Sequence, residues 1–106
     1  GAYGLLSPIT PEVHVIKLFK MKSDTGSEYE FIAHRDEDDG STRWWLISTT
    51  SDALKQVDIT THKPEVTFIA PPYVNYCLQF EMNGKEWWST KIVSMSEIKI
   101  HERVGV

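Results

Sequence analysis

Cysteine is almost absent from this chain. The single thiol in 106 residues, Cys77, cannot form an internal disulfide, which excludes the small disulfide-stapled secreted scaffolds. Long apolar runs are missing as well: no stretch approaches the ~20 residues that a membrane-spanning helix requires. Positive charge is not in excess either. Eleven Lys and Arg stand against fifteen Asp and Glu, a formal net charge of −4, whereas nucleic-acid binders usually present a basic stripe. Gly-x-Ser-x-Gly, phosphate-binding glycine loops and dinucleotide fingerprints do not occur. No Asn-x-Ser/Thr acceptor is present, no basic region leads into an apolar stretch, and Gly1-Ala2 reads as a processing scar. The expectation is a cytoplasmic protein with neither nucleic acid nor membrane as partner.

What remains is ordinary in amount and specific in order. At 41% hydrophobic and 25% charged, residues 1–106 suffice for one domain around one core. The two prolines in residues 1–11 and their lack of period make that stretch an irregular lead-in. From Val13 to Lys20 both faces of the pattern are largely apolar, as in a strand covered on two sides. Glycine-bearing turns over 22–27 and 35–41 separate it from Glu28–His34, where Tyr29, Phe31 and Ala33 alternate with Glu30, Ile32 and His34, and from Thr42–Thr50. Ser51–Val57 is the one helical candidate, with Thr50 or Ser51 as N-cap and Asp52 in the first turn. Strands resume over Glu65–Ala70, Val74–Met82, Glu86–Ser94 and, after a break at Met95-Ser96, Glu97–Val104. Asn83-Gly84 is a strong hairpin signal because a type I′ turn needs positive φ at both central residues. The fold expected is mainly β: a small antiparallel barrel or strongly curved sheet of six to eight strands, with one short helix near residues 51–57.

Four tryptophans, paired as Trp44-Trp45 and Trp87-Trp88, are the sharpest feature. Neighbouring side chains in a strand point to opposite faces, so only one indole of each pair enters a given core. The other needs cover from its own chain, a ligand or a second subunit. Arg43 beside Trp44-Trp45 adds a cation. Other candidates carry less. The acidic loop Asp36–Gly40 lacks the ligand spacing of a calcium loop and reads as a solvated hairpin tip. His14, His34, His62 and His101 show no metal-binding spacing, and Cys77 reads as a packed thiol.

One arrangement resembles a known family. Trp44-Trp45-Leu46-Ile47-Ser48-Thr49 ends a hairpin; then come Lys55 on a short helix, Ile59, Pro64-x-Val66, a strand, Pro71-Pro72, and a strand ending in glycine. This order is similar to the FMN-binding split barrels related to pyridoxamine-phosphate oxidases. The resemblance implies a dimeric flavoprotein, an oxidoreductase or flavin carrier. In it Ser48, Thr49, Ser51 and Lys55 would hold the flavin phosphate, with Trp45 near the ring. The strand Glu28–His34 departs from the pattern by offering no Arg, only Arg35 just past its end.

With no catalytic constellation on view, the leading expectation is a binding or assembly module without chemistry of its own and without a cofactor or metal. It would use an aromatic-lined pocket or interface formed from Arg43, Trp44, Trp45, Trp87 and Trp88. Its partners would be a second copy of the chain and a small aromatic or amphipathic ligand. The FMN-binding split barrel is the alternative.

Overall fold

Alternation of large apolar with polar residues shapes this chain, because a β-strand sends successive side chains to opposite faces. The computed structural model describes residues 12–35, 38–59 and 63–104, with the backbone alone at 12–15 and 100–104. Six antiparallel strands form one sheet: β1 Glu12–Ser23, β2 Glu28–Arg35, β3 Thr42–Thr49, β4 Glu65–Phe68, β5 Cys77–Met82 and β6 Lys85–Val104. Each strand pairs with the next, through Leu18↔Ile32, Ile32↔Trp45, Trp44↔Val66, Val66↔Met82 and Phe80↔Trp87. Because Leu18 also pairs with Ile98, β6 returns to β1 and the strand order closes on itself as a ring. The expected lead-in over 1–11, part of the acidic loop, and His62 lie outside the described residues.

The inward positions are those the alternation selects. Tyr29, Phe31 and Ala33 of β2, Leu46 of β3, Val66 of β4, and Leu78, Phe80 and Met82 of β5 are buried. Phe31 meets Phe68 at 5.1 Å and Phe80 at 5.7 Å between ring centres, both edge-on. Such pairs add about 0.5–1.5 kcal/mol each beyond the burial of their area. The β5–β6 turn has φ of 55° at Asn83 and 77° at Gly84, the left-handed pair that a two-residue hairpin of type I′ requires.

Three local features differ from expectation. Residues 51–57 do not form a helix of that length; Asp52–Leu54 is a single 3-10 turn. Its backbone bonds, Leu54 N–H to Ser51 O, Lys55 N–H to Asp52 O and Val57 N–H to Leu54 O, all span three residues. The Ser51 side chain makes no cap bond. The β-branched residues that follow disfavour propagation, while burial of Leu54 holds the turn against the core. The break expected at Met95-Ser96 is also absent. Instead β6 runs unbroken and bulges two residues earlier, where Lys22 faces Ser94 but Ser23 faces Ile92. The extra residue, Val93, shifts the alternation, so Ile92 and Met95 both meet the core. Finally, Cys77 is exposed rather than packed, because the inward positions of β5 are its even-numbered ones.

The described chain measures 56 × 24 × 22 Å, with a radius of gyration of 17.0 Å against about 13 Å for a compact domain of this length. The elongation comes from β1 and β6. Their ladder continues to Glu12↔Val104, past the last β1–β2 pair at Ile16↔His34. No helix among the described residues is long and apolar enough to cross a membrane.

Replacing Phe31, which is fully buried and touches two other rings, tests this core. Phe31→Ala is expected to lower unfolding free energy by about 3–5 kcal/mol in urea titrations. A loss below about 1 kcal/mol would contradict the packing described.

Candidate functional site

The strand alternation separates the two tryptophan pairs. Trp44 faces inward and packs at 4.9 Å from Phe19 and 5.0 Å from Phe68, between ring centres. Trp87 is also inward, half-buried against the core, with the Lys85 ammonium 4.7 Å above its ring. Its indole nitrogen is buried without a hydrogen-bond partner. Trp45 and Trp88 fall on the outer face, in different surroundings. Trp45 is half-buried beneath the Arg43 guanidinium, 5.4 Å from its ring centre. Trp88 is 63% exposed.

Arg43 is itself held in place. Its Nε and Nη2 donate to the two carboxylate oxygens of Glu65, at 2.9 and 2.8 Å, and Glu65 is the β4 residue paired with Trp45. This two-pronged contact keeps the Glu65 carboxyl below its ordinary value, through the hydrogen bond first and the guanidinium charge second. The chain therefore supplies its own cover for one outer indole. Trp45 lies opposite Ile32 and Glu65, whereas Trp88 lies opposite Gln79 on the other flank of the sheet. The five residues expected to make one site do not converge on one.

A different group of exposed residues lies on the flank of the sheet that carries Trp88. Ile69 extends the β4 line by donating its N–H to Gln79 O at 2.8 Å, so Ile69, Gln79 and Trp88 form a row across three adjacent segments. Beside that row lies a hollow of about 540 Å³, walled by Pro71, Tyr73, Tyr76, Cys77, Gln79 and Lys91. Tyr73 is 61% exposed and Tyr76 67%, a high value for side chains this large. They sit on the connection between β4 and β5, which turns through Asn75 at φ 78°. That turn is pinned to β6 by Asn75 N–H to Ile92 O (2.8 Å) and Ile92 N–H to Tyr76 O (2.9 Å). The sequence pattern puts Tyr76 inside a strand over Val74–Met82, on the face of Leu78, Phe80 and Met82, and passes over Tyr73; the strand in fact begins at Cys77. The available signal was composition: Pro71-Pro72-Tyr73-Val74-Asn75-Tyr76 places aromatic residues where a turn is usually polar.

Of the residues the flavin resemblance selected, the four meant for the phosphate share one place, and Trp45 is not on its wall. Ser48, Thr49, Ser51 and Lys55 line a second hollow, of about 460 Å³, with Leu54 and Asp58. Their polar groups are largely engaged. The Thr49 hydroxyl donates to Glu28 O at 2.8 Å and accepts from Ser51 N–H at 3.1 Å. Ser51 is buried. The Lys55 ammonium contacts Asp52 at 2.8 Å; that contact raises the lysine pKa and lowers the aspartate's, by hydrogen bonding first and charge second. A phosphate entering here would compete with Asp52 for Lys55 and meet Asp58 on the same wall. In their present arrangement these residues do not fit a flavin phosphate.

No protein-family model, curated protein or solved structure matches the chain.

In Arg43→Gln the Glu65 carboxyl is expected to titrate closer to the ordinary 4.5, as followed by side-chain NMR. The sign is that of a depressed acid. The pair's stabilisation is present above the unfolded-state pKa and is lost as pH falls through the folded value. An unchanged Glu65 titration would show that Arg43 does not hold it in solution.

Proposed function

We propose that the protein is a small barrel-like binding module without chemistry of its own. Its ligand seat is the aromatic hollow beside Trp88. The observation that carries this reading is the pair of exposed rings, Tyr73 and Tyr76, on the wall of one concavity, next to the exposed Ile69 and Trp88 that flank its wall residue Gln79. Large aromatic side chains left in water on a surface usually mark a contact site. The hollow's size falls within the range of small-molecule sites, and its few polar groups, Gln79 and Lys91, are the kind that orient a mainly apolar ligand. The ligand class is an aromatic amphipath with an anionic group: the rings stack, and Lys91 takes the charge. Self-association with a second copy is part of the same reading, since closed two-fold dimers are the commonest assemblies.

FMN binding stands second. It is supported by the meeting of Ser48, Thr49, Ser51 and Lys55 on one wall and opposed by the Lys55–Asp52 contact.

FMN is itself an anionic aromatic amphipath, so one titration, followed by flavin emission, addresses both readings. Under the first, binding is saturable, Tyr76→Ala and Lys91→Ala each weaken it roughly tenfold, about 1.4 kcal/mol, and Lys55→Ala leaves it unchanged. Under the second, Lys55→Ala weakens it and Asp52→Asn, which frees the ammonium, tightens it several-fold. If no saturable binding occurs, neither hollow takes a ligand of this class.

A further inference from the structure

β6 carries a surface that the aromatic hollow does not use. From Lys85 to Lys91 the strand pairs with β5, and the two backbone bonds at Ile92 end that ladder. From Ile92 to Val104 it pairs with β1. A strand has two hydrogen-bonding edges, and β1 occupies one of them. Along Val93–Val104 the edge that faced β5 has no strand paired to it among the described residues. A long open edge of this kind is a template for another strand.

The side chains beside this edge are ordered in a way that suits one occupant. On the outer face the register sets Trp45, Ile32, Leu18 and Ile98 side by side across β3, β2, β1 and β6. This apolar row ends at the open edge with Ile98 still 46% exposed. On the opposite face Lys17 lies directly across from Lys99, an unfavourable like-charge pair. Glu97 approaches Lys17 at 3.9 Å, and Lys99 has no ion-pair partner among the described residues.

We propose that a second copy of the chain adds its β6 edge to this one, antiparallel, about a two-fold axis through Ile98. This rests on the self-association read above and names its surface. A two-fold normal to the sheet keeps each face on its own side, so the axis must pass through a residue rather than between two. Centred on Glu97 or on Lys99, the strands would set like charges face to face. Centred on Ile98, Glu97 of each copy meets Lys99 of the other, twice over. The exposed Ile98 then meets its equivalent, and the two apolar rows join into one. Charges on an edge ordinarily prevent pairing; in this order they favour the register centred on Ile98 over those one residue to either side. Backbone hydrogen bonds supply the attachment, as in other strand additions.

Sedimentation equilibrium on the whole chain tests the proposal with Lys99→Glu and the swap Glu97→Lys/Lys99→Glu. Lys99→Glu places a carboxylate opposite Lys17 within the same chain, so folding is preserved, as the urea midpoint will report. The wild type is expected to dimerise, Lys99→Glu to weaken the dimer by roughly tenfold or more, and the swap to restore it to within about threefold. If all three dimerise equally, self-association stands but its surface is not the β6 edge. If the wild type stays monomeric across the concentration range, the self-association reading and this inference both fail.

Discussion

The structure turns on what happens to β6 at Lys91 and Ile92. There the strand stops pairing with β5 and starts pairing with β1, and the bulge at Val93 re-aims it as it passes. Without that transfer the sheet would be a meander with two open ends. With it, the inward faces of all six strands are turned toward one another, and Phe31, Phe80 and Ile92 share one core. The same transfer fixes the surface. On the β5 side it leaves a corner, which the Asn75–Tyr76 turn fills and where the aromatic hollow lies. Beyond the corner it leaves an edge to which no strand among the described residues pairs.

Parity then decides which aromatic residues face water. One indole of each pair is drawn inward by its strand, and the other must remain outside. The two outer indoles differ because of what their neighbouring strands offer. β4 provides Glu65, which fixes Arg43 over Trp45. Opposite Trp88 stands Gln79, and on its far side Ile69 leaves that flank open.

Much of this was legible in the sequence, and the exceptions have physical causes. The class of fold, the hairpin at Asn83-Gly84 and the inward series Tyr29, Phe31, Ala33 follow from period-two alternation and turn chemistry, which are local. The division of each tryptophan pair between faces is local in the same way. Which indole its own chain would cover was not legible, because Arg43 and Glu65 come from different strands and only register brings them together. The bulge at Val93 was missed because one extra residue changes no composition; it shows only against β1. Tyr76 was missed because an alternating pattern was extended upstream of Cys77, into a turn, and Tyr73 because it stands between that pattern and Pro71-Pro72. Residues 51–57 carry the marks of a helix start, yet the β-branched residues after Gln56 and the buried Leu54 limit them to one 3-10 turn.

The ring also has a kinetic side. Five of its six pairings join strands that are consecutive along the chain and can form as local units. The sixth joins Glu12 to Val104, nearly the full length of the described chain apart. Among the contacts of the described residues, bringing those segments together carries the largest loop-closure entropy, and until it is met the inner face of the meander stays exposed to water. The ladder that makes the folded sheet continuous is thus the one the chain reaches latest.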